Sequence, residues 1–114
     1  MLPRLNRLTG KKNFERVEKE GEMFQSQNFG IAFVKREDKK PSRFAFVVST
    51  KISKVAVERN RIKRILREAV RQTLFDLVKG FDVVFLAKLS IMRASTDLMM
   101  KEVKKSLRDA KLAR

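Results

Sequence analysis

The chain contains no cysteine, no histidine, no tryptophan and no tyrosine. Without cysteine there are no disulfide partners, no thiol chemistry and no cysteine-ligated zinc. Without histidine the commonest general base, the commonest metal ligand and every imidazole-based triad are gone. No apolar run is long enough to span a bilayer, and no lipidation motif is present, so no membrane partner is expected. The basic start, Met1-Leu2-Pro3-Arg4, is not followed by the apolar stretch of a secretory signal, and a cytoplasmic protein is the simplest expectation. Acidic residues are scarce as well, 13 against 28 lysines and arginines, which leaves a net charge of +15. The aspartates Asp38, Asp76, Asp82, Asp97 and Asp109 are scattered and read as loop or capping residues rather than as a catalytic cluster.

What is present is a core and a polycation. Hydrophobic residues make up 43%, too many for a disordered basic tail, and 114 residues suffice for one domain. A folded domain this basic repels itself and calls for an anionic partner, of which nucleic acid is the usual one. We therefore expect a single RNA-binding domain over residues 1–114, with residues 1–10 forming an irregular basic arm around Pro3 and Gly10.

The apolar pattern alternates between two periods. Thr9 is placed to cap a helix running to about Glu20, with Phe14 and Val17 on its apolar edge and Gly21 at the position just past its end. Residues 29–35 alternate, with Phe29, Ile31 and Phe33 sharing one face and Gly30, Ala32 and Val34 the other. Residues 44–49 do the same, with Phe44, Phe46 and Val48 opposite Ala45 and Val47. The polar stretch from Arg36 to Ser42 between them predicts a hairpin, and hence antiparallel neighbours. Residues 23–27 suggest a further short strand. Ile62, Ile65, Leu66, Ala69, Val70, Thr73 and Leu77 keep helical spacing, predicting a helix from Glu58 to Lys79 that Gly80 ends. Residues 81–87 read as a buried strand. A last helix begins at Ser95 or Thr96, with Leu98, Met99, Val103, Leu107 and Ala110 as its stripe.

The order is α-β-β-(β)-α-β-α. It predicts an α+β fold, a small mixed sheet of three or four strands packed with helices. The segment from Phe44 to Phe81 is a β-α-β unit, whose crossover the general rule makes right-handed.

Function points to the long helix. Between Lys51 and Gln72 stand Lys51, Lys54, Arg59, Arg61, Lys63, Arg64, Arg67 and Arg71, opposed only by Glu58 and Glu68. Asn60, Arg64, Arg67 and Arg71 fall at i, i+4, i+7 and i+11, with Lys63 beside them and the apolar row opposite. Arginine is favoured over lysine, as suits bidentate phosphate contacts and stacking on bases. Like charges at these spacings cost a few tenths of a kcal/mol each, a cost that an anionic partner removes.

The run Glu58-Arg59-Asn60-Arg61-Ile62-Lys63-Arg64-Ile65-Leu66-Arg67-Glu68 resembles the arginine-asparagine-arginine signature of the bacterial ribonuclease P protein family. The strand before it with Lys51, the segment from Leu8 through Phe14 and Val17 to Gly21, and the element order also resemble that family. The resemblance implies a protein cofactor of a catalytic RNA that removes the 5′ leader of precursor tRNA. It places bond breaking in the RNA subunit and its Mg2+, with no catalytic residue and no bound cofactor on the protein. It implies that Lys51, Lys54, Arg59, Asn60, Arg61, Lys63, Arg64, Arg67 and Arg71 face the catalytic RNA. It further implies a cleft between the first helix and the sheet that holds the leader, with Phe14 as its aromatic and Phe29, Phe33 and Lys35 as candidate lining. Two positions depart from the family pattern: Glu18 stands where a second aromatic is frequent, and Ala32 where some members carry tyrosine, so Phe24 or Phe33 is the alternative stacking group. The family's β-α-β crossover is left-handed, against the general rule. The competing expectations are a generic RNA-binding or ribosome-associated basic protein, and a nuclease acting alone.

Overall fold

The computed structural model describes residues 2–114. In chain order it comprises α1 (Lys11–Glu20), β1 (Glu22–Gln25), β2 (Phe29–Lys35), β3 (Arg43–Val47), α2 (Ala56–Arg71), β4 (Phe81–Ala87) and α3 (Thr96–Asp109), with short 3-10 turns at Arg4–Asn6, Leu74–Asp76 and Leu89–Arg93. The α+β class and the element order are those the patterns predict.

The four strands are ordered β1-β2-β4-β3. β2 runs antiparallel to both β1 and β4, and β3 runs parallel to β4. This corrects one expectation: β2 and β3 are not hairpin neighbours, because β4 lies between them. The reason is ionic as well as hydrophobic. Asp82 on β4 has no exposed surface, and its carboxylate accepts from Arg36 just past β2 and from Arg43 at the start of β3, each contact 2.8 Å. The polar loop is thus bound across the end of β4 rather than folded into a tight turn. Asp82 is accordingly a buried strand residue and not a loop or capping group. The side of β4 away from it is apolar: Phe85 meets Phe29 and Phe46 at ring-centroid distances of 5.3 Å.

The sheet has two unequal faces. On one, Phe29, Ile31, Phe44, Val83 and Phe85 join Ile62, Leu66, Ala69 and Val70 of α2 and Met99, Val103 and Leu107 of α3 in the main core. On the other, Ala32, Ala45 and Val84 meet Leu8, Val17 and the half-buried Phe14. Two helices cover the first face and one short helix the second, so part of the second stays open.

α1 begins at Gly10 rather than at Thr9; the Thr9 carbonyl instead accepts from Asn13 Nδ2 at 2.8 Å. Gly21 closes it by donating to the Val17 carbonyl at 2.9 Å, with an ordinary φ of −74°. Glycine is needed there for room, since a Cβ would stand 2.3 Å from the Val17 carbonyl oxygen. α2 is shorter than expected. It stops at Arg71, is about 24 Å long at ~1.5 Å per residue, and continues as a 3-10 turn in which Leu74 and Leu77 still reach the core. Gly80 does not end the helix; its N–H bonds the Lys40 carbonyl and its carbonyl the Arg36 N–H. α3 is capped by Ser95 Oγ, which accepts from the Leu98 N–H at 3.1 Å. Glu102 on α3 accepts from Ser26 Oγ, Asn28 N–H and Asn28 Nδ2, fixing the β1–β2 turn.

Candidate nucleic-acid interface

α2 is amphipathic because its sequence alternates charge and aliphatic residues at helical spacing. Ile62, Leu66, Ala69 and Val70 are buried, while Asn60, Arg61 and Arg64 are exposed and Lys63 and Arg67 half-buried. The helix is anchored at its start by Ser53. Its Oγ accepts from the Val55 N–H at 3.1 Å and lies 3.3 Å from Glu58 Oε1. Arg59 Nη1 donates to the Ser53 carbonyl at 2.9 Å. Among the described residues, Lys51, Lys54, Arg61, Lys63, Arg64 and Arg67 enter none of the ion pairs or side-chain hydrogen bonds. Arg61, Lys63, Arg64 and Arg67 thus present uncompensated positive charge on α2, and Lys51 and Lys54 do so on the segment leading into it.

Arg71 differs. Its Nε donates to Glu68 Oε2 at 2.9 Å, and Nη2 contacts the other carboxylate oxygen. The Arg71 hydrogen bonds draw the Glu68 carboxyl down to a pKa of about 2, and the Arg71 pKa is raised in return. The last arginine of the row is therefore already paired.

The open part of the second sheet face forms a groove of about 360 Å3 lined by Phe14, Val17, Glu18, Met23, Ala32, Val47, Val84 and Leu86, with Gly21 at its edge. The groove crosses all four strands beside α1. Met23, Val47, Val84 and Leu86 were not anticipated from the sequence; each is at the register position that shares a face with Ala32. Phe14 is in the groove. Phe29 is not: it is fully buried on the opposite face and unavailable to any ligand. Phe33 and Phe24 also belong to that opposite face, packed against the main core, with Phe33 edge-on to Phe81 at 6.2 Å. Lys35 is exposed at the end of β2, beside Phe33 and Phe81 and outside the groove.

The groove and α2 lie on opposite faces of the sheet, and the segment leading from β3 to α2 connects them. Val47 lines the groove and Lys51 follows four residues later, so their Cα atoms lie within about 14 Å. An apolar channel with one aromatic wall thus lies across the sheet from the cationic helix, with Lys51 on the segment between them. Among the described residues no three acidic side chains converge as metal ligands would, and no helix is long and apolar enough to cross a membrane.

This architecture is a small, strongly basic α+β domain with unpaired cations on one helix and an aromatic-walled groove on the sheet, the class of a nucleic-acid-binding protein. Residues 2–111 match the family profile described as Ribonuclease P. A ribonuclease P protein component from Rippkaea orientalis is 32% identical, covering 97% of this chain and 91% of its own length. One from Dehalococcoides mccartyi is 38% identical over 94% of this chain and 86% of its own. The ribonuclease P protein of Thermotoga maritima superposes with a TM-score of 0.80 at 28% identity, over 90% of this chain and 96% of that one. That of Staphylococcus aureus superposes at 0.88 with 23% identity, covering 96% of this chain and 98% of that one, which speaks for the fold. The chain belongs to the ribonuclease P protein family. It serves as protein cofactor of an endoribonuclease that matures the 5′ end of tRNA, with RNA as its partner in the ribonucleoprotein.

Proposed function

We propose that α2, with Lys51 and Lys54 on its approach, is the surface that grips the catalytic RNA, and that the groove beside α1 receives the single-stranded leader of precursor tRNA. The observation that carries this reading is the set of unpaired cations along one face of α2 in a chain of this family. Arg61, Lys63, Arg64 and Arg67 supply phosphate contacts, and Arg59 and Asn60 lie one turn into the helix, near its positive end, which also favours anions. Arg71 contributes less, because Glu68 holds it.

In the groove, Phe14 offers the aromatic face, and the aliphatic walls from Met23, Val47, Val84 and Leu86 accept bases without hydrogen-bond readout. Phe29, Phe33 and Lys35 are left out of the leader site on their positions. Glu18 places a carboxylate in the groove and weakens the hold on a phosphate chain. The family assigns bond breaking to the RNA subunit and its Mg2+, and the protein's part is affinity and positioning in the cytoplasm, where tRNA precursors are cut.

A reconstituted cleavage assay tests this. The protein alone is expected to leave precursor tRNA intact at low Mg2+, and to accelerate cleavage once the cognate catalytic RNA is added. Cleavage by the RNA-free protein would instead indicate a nuclease, and failure to assist the RNA a generic RNA-binding protein.

A further inference from the structure

Phe75 is 97% exposed, on the Leu74–Asp76 turn that follows α2. The turn is not slack. Leu74 and Leu77 on either side reach the core, and Thr73 Oγ1 donates to the Ala69 carbonyl at 2.6 Å. The Asp76 N–H bonds the Thr73 carbonyl at 2.9 Å, and the Arg114 N–H bonds the Asp76 carbonyl at 2.7 Å. The backbone is thus tied to α2 on one side and to the C-terminal segment on the other, and it presents one ring to water. Phe75 stands four residues past Arg71, on the turn that continues the chain from the C-terminal end of α2. Lys79 stands four residues further along the chain, and Asp76 is the adjacent carboxylate. A phenylalanine ring has no polar group to satisfy, and its flat face suits a nucleobase.

We propose that Phe75 is a stacking platform for an unpaired base of the RNA lying along α2, so that an aromatic side chain closes the C-terminal end of the cationic row. The proposal rests on the reading of α2 as the RNA-binding face. A second copy of the chain is the weaker occupant, because a net charge of +15 on each copy opposes self-association and one ring is far too small a patch to hold a dimer.

The absence of native tryptophan and tyrosine makes the test clean, since Phe75→Trp introduces a single fluorescent reporter. Titration with the catalytic RNA is expected to quench its emission. Phe75→Ala is expected to weaken assembly roughly 5- to 150-fold, the range of base–aromatic stacking, with the salt dependence of binding unchanged. Phe75→Leu is expected to stay as weak as the alanine variant. Unaltered tryptophan emission at saturating RNA overturns the proposal, as does full affinity in Phe75→Leu, which marks a plain apolar contact. An emission change that tracks protein concentration without RNA overturns it in favour of a second copy. Arg67→Ala, run in parallel, separates the two levels: if it weakens assembly while the Phe75 variants do not, only the stacking platform falls; if neither weakens it, the assignment of α2 falls as well.

Discussion

Arg43 grips Asp82 through both carboxylate oxygens, Nε to Oδ1 and Nη2 to Oδ2, each at 2.8 Å. Hydrogen bonding to Asp82 raises the Arg43 pKa above its ordinary value. Arg36, itself buried, donates to Oδ1 from the other side, so one carboxylate gathers the ends of β2, β3 and β4. Taking it away removes the carboxylate that Arg43 grips and leaves the buried Arg36 with Asp38 as its remaining counter-charge. Asp82→Ala is expected to cost about 3–5 kcal/mol, read as a lower urea midpoint at unchanged slope. A loss below about 1 kcal/mol would show that the apolar core alone specifies the strand order.

The difference between Arg67 and Arg71 predicts a difference in RNA binding. Arg67→Ala and Arg64→Ala each remove an unpaired cation. Each is expected to flatten the plot of log affinity against log salt by roughly 0.7–0.9 for every phosphate that the side chain neutralises. Arg71→Ala removes a cation that Glu68 already neutralises, and its effect is expected to be smaller. Conversely, Glu68→Gln releases Arg71 and is expected to tighten assembly and steepen the slope. An identical slope in all four variants would count against phosphate binding by this face.

The same pair sets a pH dependence. The folded Glu68 carboxyl lies at about 2, below its ordinary value of 4.5, chiefly through the Arg71 hydrogen bonds. A depressed carboxyl contributes stability that is fully present above 4.5 and is lost as pH falls toward 2. Both side chains are about two-fifths exposed to water, so the contribution is modest and salt-screened. Glu68→Gln is expected to flatten the acid limb of the stability profile within that window, with a modest loss at neutral pH that vanishes as pH falls toward 2. A parallel loss at pH 7 and at pH 3 would point to packing by Glu68 instead.

How much of this was legible in the sequence follows from which interactions are local. The period-two runs at Phe29–Lys35 and Phe81–Ala87 are fixed by neighbours along the chain and were readable with their boundaries nearly right, and the helical stripe of α2 was readable although its end was not. The order of the strands was not, because it depends on Arg36 and Arg43 meeting Asp82 across 46 and 39 residues, a pairing with no local signal. The end of α2 was misplaced because Leu74 and Leu77 keep apolar spacing through a 3-10 turn. For the site, periodicity told that Phe29 and Phe33 share a face but not which helix covers it. The groove belongs to the even-numbered face of β2, so Met23, Val47, Val84 and Leu86 went unseen, while the exposed cations of α2 needed only the helical period to be found.

Gly21 holds α1 at its distance from the sheet. Its missing Cβ would stand 2.3 Å from the Val17 carbonyl and 3.1 Å from that of Phe33, both backbone atoms that cannot swing aside. Gly21→Ala is therefore expected to cost about 1–3 kcal/mol and to shift α1. Thermal unfolding checks the first and amide exchange of α1 the second. Wild-type stability in this variant would mean that the helix end has room to move.

Phe14 and Glu18 stand four residues apart on α1 and both line the groove, one as an aromatic face and one as a carboxylate. They are expected to act in opposite directions on a leader strand. Stacking on Phe14 is worth about 1–3 kcal/mol per base, so Phe14→Ala should lower affinity for leader-bearing precursor and spare mature tRNA. Glu18 repels the phosphate chain, and Glu18→Gln should raise precursor affinity with a slightly steeper salt dependence, again sparing mature tRNA. The two substrates measured side by side on the reconstituted complex decide the matter. Equal losses for both substrates in Phe14→Ala would move the leader out of this groove, and an unchanged affinity in Glu18→Gln would mean that the strand passes along the sheet away from α1.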